Sequence, residues 1–145
     1  MKKAARKLKY KKDFEPAYAK ADDEMFPNGI FEFNISRMIE FIRNNGGKVV
    51  LEDISTEKYH IEAFSCVNED HIDTVDITKP IILIEIKPEH YAVVDGHHRL
   101  EKAYREGVLA IPAFKLRMEQ HINFMTSIKA YKEYIDYWNE KLGEQ

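Results

Sequence analysis

The run PIILIEI, from Pro80 to Ile86, limits the fold of this chain more than any other stretch. It is nearly continuous in apolar residues and opens on a proline, which a strand tolerates at its first position. Beyond Pro88, Tyr91 to Val94 forms a second strand. The segment from His97 to Arg105 then takes up helical spacing, with Leu100, Ala103 and Tyr104 turned inward and Gly107 ending it. IPAFKL, Ile111 to Leu116, is the next strand, and its Pro112 suggests an edge position or a local bulge. Strand, strand, helix, strand is the order of an α/β fold built on one small mixed sheet.

The flanking segments extend this pattern. IFEFN alternates Ile30, Glu32 and Asn34 against Phe31 and Phe33, as a half-buried strand does, and Asn34 is a cap for the helix that follows. In that helix Ile35, Met38, Ile39 and Ile42 share one face, and Asn44-Asn45-Gly46-Gly47 stops it. KVVLEDI reads as a strand, YHIEAF (Tyr59 to Phe64) as another, and Ser65 to Lys79 as a surface loop or irregular edge. Near the end, Ile128, Tyr131, Ile135, Trp138 and Leu142 recur at helical steps. Three parts are expected: a basic, partly helical or flexible arm over 1–28, a core over 29–120, and a long amphipathic helix over 121–145. That helix covers the core or serves as a homo-oligomer contact.

Composition excludes several classes. With 44% hydrophobic and 32% charged residues the chain is neither disordered nor membrane-like in makeup. No stretch of about 18 apolar residues is present, and the lysine-rich start lacks the apolar segment of a signal peptide, so a cytoplasmic location with no membrane partner is the expectation. The single cysteine, Cys66, rules out an internal disulfide and reads as an idle thiol. MKKAARKLKYKK is wholly basic in its charges, so the rest of the chain is more acidic than the net charge of −3 suggests. Such an arm serves solubility, pairs with the acidic surface, or touches nucleic acid or lipid phosphate.

The chemistry gathers in Asp95-Gly96-His97-His98-Arg99, between the second strand and its helix. Gly96 permits a positive φ or a close approach to backbone, and the amides beside it lie where a helix start attracts an anion. Arg99 offers a planar fork for phosphate or carboxylate. One of His97 and His98 can point toward the same anion and either donate a hydrogen bond or move a proton near neutral pH, whereas its neighbour usually points elsewhere. Asp95 could cap the helix, hold a histidine in one tautomer, bind magnesium, or take a proton from a substrate hydroxyl. The plainer alternative is a turn in which Asp95 is an N-cap, Gly96 a turn residue and the remaining side chains solvated.

From Asp76 to Leu116 the stretches DITKPIILIEI, YAVVDGHHRLEKAYREG and IPAFKL resemble the ParB/sulfiredoxin superfamily, and the DGHHR wording is similar to that of its free-serine kinases. The resemblance implies a ParB/sulfiredoxin-type fold and a box that binds nucleotide phosphate. Gly96, His97, His98 and Arg99 would be the binding residues, with Asp95 and His98 the catalytic candidates. Sulfiredoxin carries its essential cysteine directly after the box glycine, where this chain has His97, so that activity is not implied. Partition proteins have arginines at the positions of His97 and His98. A kinase of this kind implies a further carboxylate upstream, for which Glu32, Glu52 and Asp53 are the candidates.

The expected function is therefore binding of ATP or another nucleotide, with magnesium-dependent phosphoryl transfer to a small hydroxyl substrate. Two alternatives stand beside it. A metal-dependent nuclease or DNA-associated protein would use similar elements on a phosphodiester, with the basic arm holding the polymer. A non-enzymatic interaction module would keep the fold and bind a partner through the aromatic C-terminal helix.

Overall fold

The structure is a computed structural model that describes residues 6–28, 31–62 and 68–144. It is mixed α/β and groups into two compact units, Gly47–Ile84 with Tyr91–Leu116, and Met1–Gly46 with Glu85–His90 and Arg117–Gln145. Cys66, Gly29 and Ile30, and the residues Ala63 and Phe64 of the expected strand YHIEAF, lie outside the described residues.

The unit that contains the DGHHR turn is built on a four-stranded sheet. Its strands are β3 (Val50–Ser55), β4 (Ile81–Lys87), β5 (His90–Asp95) and β6 (Ala110–Leu116), in the order β3-β6-β4-β5. β3 runs antiparallel to β6, with Asp53 opposite Pro112, while β4 runs parallel to β6 from the pair Ile81 and Ala113 onward. Ile81 to Ile84 are all buried, as their continuous apolar character requires. Pro112 does not mark an edge, because β6 lies inside the sheet. The parallel ladder starts one residue past it, at Ala113, so β4 does not depend on the missing proline N–H.

Helices α2 (Thr56–Glu62), α3 (Glu69–Ile72) and α4 (His97–Arg105) complete this unit. Tyr59 to Glu62 are helical rather than the strand their alternation suggests. Ser55 stops β3 and accepts a hydrogen bond from Lys58 N at 3.2 Å, in the manner of an N-cap, and the Thr56 hydroxyl donates to Val108 O at 2.6 Å. Ile54, Tyr59, Ile81, Leu83, Val93, Leu100, Ala103 and Ile111 form the core. Tyr104 is not among them. It is 43% exposed on the outer side of α4, with its ring stacked on His60 at 3.7 Å.

The other unit pairs β1 (Met25–Asn28) with β2 (Phe31–Asn34) antiparallel and adds α1 (Ile35–Asn44), α5 (Met118–His121), a 3-10 turn (Ile122–Phe124) and α6 (Ile128–Gly143). Asn34 caps α1 through Arg37 N, and Ile35, Met38 and Ile42 face the core, as the sequence implies. α6 is capped by Ser127 and buries Ala130, Tyr131, Tyr134, Ile135 and Trp138. Its apolar face is rotated from the expected stripe: Ile128 is 49% exposed, whereas Tyr134 is fully buried against Phe31 and Phe33. Residues 6–24 contain no helix. They run along α6, where Asn139 exchanges two hydrogen bonds with the Leu8 backbone, the Trp138 indole donates to Arg6 O, and Phe14 stacks on Tyr131 at 3.8 Å.

This unit also holds a buried polar centre that sequence reading misses. The fully buried His121 places Nε2 2.7 Å from Glu85 O, and the Tyr134 hydroxyl donates to Glu85 O and Ile86 O at 2.9 and 3.1 Å. Among the described residues, His121 Nδ1 has no partner. Burial pushes the His121 imidazole down to about 4. No helix among the described residues is long and apolar enough to cross a membrane.

Candidate functional site

The apolar side chains of Val93 and Val94 anchor β5 in the core and bring Asp95 to the strand's end, half-buried. The chain then turns at Gly96, whose φ of 97° lies where L side chains are strained. Packing imposes a second demand. A Cβ on Gly96 would sit 2.4 Å from Ile81 Cγ2 and 2.8 Å from Ile81 Cβ. The glycine is therefore required by the adjoining strand before any ligand is considered.

Gly96 is itself the N-cap of α4, with no side-chain cap bond, and its carbonyl accepts the first helical bond from Leu100 N at 3.0 Å. Asp95 is the last residue of β5 and does not cap the helix, which corrects the cap-only reading of that side chain. The N–H groups of the first turn have no carbonyl within the helix to meet, and the helix dipole makes that end attractive to negative charge.

His97 is half-buried, and desolvation lowers its pKa, a shift that the Asp95 charge opposes and His98 reinforces. His97 thus stays neutral around pH 7 and serves as one donor and one acceptor. His98 Nε2 accepts a hydrogen bond from Asn68 N at 3.0 Å, which puts the proton of a neutral ring on Nδ1, and its ring centroid lies 6.0 Å from that of His71.

Arg99 Nη1 donates to Pro80 O at 2.9 Å, and among the described residues its Nε and Nη2 make no further hydrogen bond. Its charge also acts on Asp76. Hydrogen bonds from Thr78 hold Asp76 below the usual carboxylate range, with Lys79 and Arg99 adding to the effect.

The same helix fastens the segment before β4. Lys102 Nζ donates to Asp73 O and Val75 O, and Arg105 makes a bidentate pair with Glu69 at 2.7 and 2.8 Å while its Nε reaches Glu101. His98 and Arg99 grip Asn68 and Pro80 of this same segment. From Asn68 onward the expected surface loop is thus a strap held along α4, with one short helix, α3, inside it. Lys102, Asn68 and Asp76 are the site neighbours that spacing did not single out; the DIT sequence of Asp76 to Thr78, an Asx-turn pattern, was the available signal for the last.

Of the upstream carboxylates, Glu52 and Asp53 share the unit of the turn and do not join it. Glu52 and Asp53 lie on β3, three strand positions from β5 and so about 14 Å across the sheet; Glu52 is paired with Lys115 at 2.8 Å. Glu32 belongs to the other unit, where it accepts from the Thr126 hydroxyl at 2.7 Å.

The turn offers groups of the kind that suit a phosphate: the N–H groups of a helix start and the Arg99 nitrogens that make no further hydrogen bond among the described residues. Among the described residues no group of three or more His, Cys, Asp or Glu side chains could hold a metal ion. Magnesium commonly needs only one or two carboxylates when phosphate oxygens complete its shell, and Asp95 could be one. Compared with known proteins, the sequence matches no family model, no curated protein and no solved structure.

Proposed function

We propose that the β5–α4 turn binds the phosphate of a nucleotide and that Asp95 assists phosphoryl transfer from it to a small hydroxyl substrate. The observation that carries this reading is the setting of Gly96. A carboxylate ends β5 on one side of it, and on the other a helix begins with a neutral histidine and an arginine whose fork is only partly used. The ParB/sulfiredoxin-like order of elements around the DGHHR box supports the nucleotide as ligand.

In this reading the first-turn amides and Arg99 take the phosphate oxygens, and His98 joins them when it releases Asn68 N. Asp95 accepts the proton of the attacking hydroxyl. The hydroxyl oxygen bonds to the terminal phosphorus, and the bond from that phosphorus to its bridging oxygen breaks, the electron pair leaving with the nucleoside diphosphate. Magnesium, when bound, neutralises charge on the phosphate chain.

Calorimetric titration with ATP, ADP and CTP, with and without magnesium, tests the reading. Saturable binding that weakens by about 2 kcal/mol in Arg99→Ala, with poor rescue by Arg99→Lys, is expected, because lysine lacks the fork. Folded protein that binds none of the three at millimolar concentration refutes the nucleotide assignment.

A further inference from the structure

A separate groove lies in the unit that does not contain the DGHHR turn. On α1, Arg37, Glu40, Phe41 and Asn44 stand three, one and three residues apart, so they share a face away from the buried Ile35, Met38 and Ile42. Such a face is ordinarily solvated. Here it forms one wall of an open groove of about 360 Å³, with Lys20 and Phe124 on its other side. That volume falls within the range of about 300–1,000 Å³ common for small-molecule sites.

The lining is chemically sorted. Phe41, half-buried although it lies off the apolar stripe, meets Phe124 edge to face with centroids 5.6 Å apart, and this makes an apolar corner. Asn45 Nδ2 donates to Phe41 O at 2.9 Å and fixes the backbone at that corner. Among the described residues, the Lys20 ammonium, the Arg37 guanidinium and the Glu40 carboxylate take part in no ion pair. Asp23, the neighbouring acid, accepts from Lys20 N and Asn34 Nδ2 and also feels the charges of Arg37 and Lys20, although it forms no ion pair with either. Arg37 also stands in the first turn of α1, where the helix dipole repels a cation and favours an anion.

We propose that this groove binds a free amino acid with an aromatic or other large apolar side chain. Its carboxylate pairs with Arg37 and Lys20, its ammonium with Glu40, and its side chain packs on Phe41 and Phe124. Two cations alone would suit any small anion. A carboxylate on the same wall, beside an apolar corner, selects a zwitterion that carries a hydrophobic group.

The test is titration of the full chain, by calorimetry and ligand-observed NMR, with phenylalanine and with two incomplete probes: 3-phenylpropionate, which lacks the ammonium, and phenethylamine, which lacks the carboxylate. Saturable phenylalanine binding is expected, with each probe weaker by about tenfold or more, the scale of one lost charge-assisted contact. Arg37→Gln should weaken phenylalanine about tenfold, toward the affinity of phenethylamine, with Lys20 left to hold the carboxylate. Glu40→Gln should erase the preference over 3-phenylpropionate. Both side chains lie outside the core, so the variants remain folded, which circular dichroism checks. No saturable phenylalanine binding at millimolar concentration overturns the proposal, as does a 3-phenylpropionate affinity equal to that of phenylalanine, or a phenylalanine affinity that neither substitution changes.

Discussion

Gly96→Ala separates two reasons for a glycine in the DGHHR turn. If the residue is glycine because of Ile81, the substitution is a stability defect. If it is glycine to let a phosphate approach, the substitution is a binding defect in a stable protein. The geometry favours the first. Alanine at φ 97° carries backbone strain of about 1 kcal/mol, and a Cβ 2.4 Å from Ile81 Cγ2 forces a shift of the kind that costs about 1–3 kcal/mol in packed cores. Ile81 is fully buried and belongs to the central run of β4, so it has little room to yield.

The combined cost is about 3 kcal/mol, which lowers a urea midpoint by about 2 M for a typical slope of about 1.5 kcal/mol/M. A double-mutant cycle with Ile81→Ala locates the cause. Removing Ile81 Cγ2 relieves the closest contact but not the strain at φ, so Gly96→Ala should cost at least about 1 kcal/mol less in that background. An unmoved midpoint in Gly96→Ala refutes the argument, and so does an equal cost in both backgrounds.

Further outcomes follow from the electrostatics of each unit. His121 is depressed to about 4, against about 6.5 when unfolded, so its contribution to stability is complete above pH 6.5 and is lost as pH falls toward 4. Between pH 7 and pH 5 the wild type should lose about 2 kcal/mol that a folded His121→Gln variant does not lose, measured by urea unfolding. Tyr134→Phe, which removes the donor to Glu85 O and Ile86 O, should cost about 1–2 kcal/mol by thermal or urea denaturation. Asp95→Asn removes the charge that raises the His97 pKa, so an NMR titration should find His97 protonating at lower pH than in wild type. Because Asp95 is not the cap of α4, the same variant should leave the helix start intact by chemical-shift mapping.

Features fixed by near neighbours in the chain were legible in the sequence. Asn34 announces α1 because a cap and its target lie three residues apart, and the α4 segment from His97 to Arg105 is bounded by glycines that act locally. Where a tertiary partner decides the outcome, the local sequence does not show it. Tyr59 to Glu62 alternate as a strand would, yet they are helical, and the hydrogen bond of Thr56 to Val108 ties down the start of that helix. Pro112 indicates an edge by its own chemistry, but a sheet interior accepts it when the neighbouring ladder begins one residue later. Neither partner can be inferred from the local segment.

The candidate site divides along the same line. Adjacency in sequence guarantees that Asp95, Gly96, His97, His98 and Arg99 meet at one turn, and their residue types indicate affinity for an anion. What the side chains do besides depends on residues 68–80, which periodicity marks only as loop. Arg99 and His98 are bound to the two ends of that segment, at Pro80 O and Asn68 N, and Lys102 and Arg105 hold its middle. A cationic helix face next to a polar loop has two uses for its donors, ligand oxygens or the loop's own carbonyls and carboxylates, and composition alone does not distinguish them. The structure does so bond by bond: the strap uses one Arg99 nitrogen and one His98 nitrogen, while among the described residues the rest of the Arg99 fork makes no further hydrogen bond.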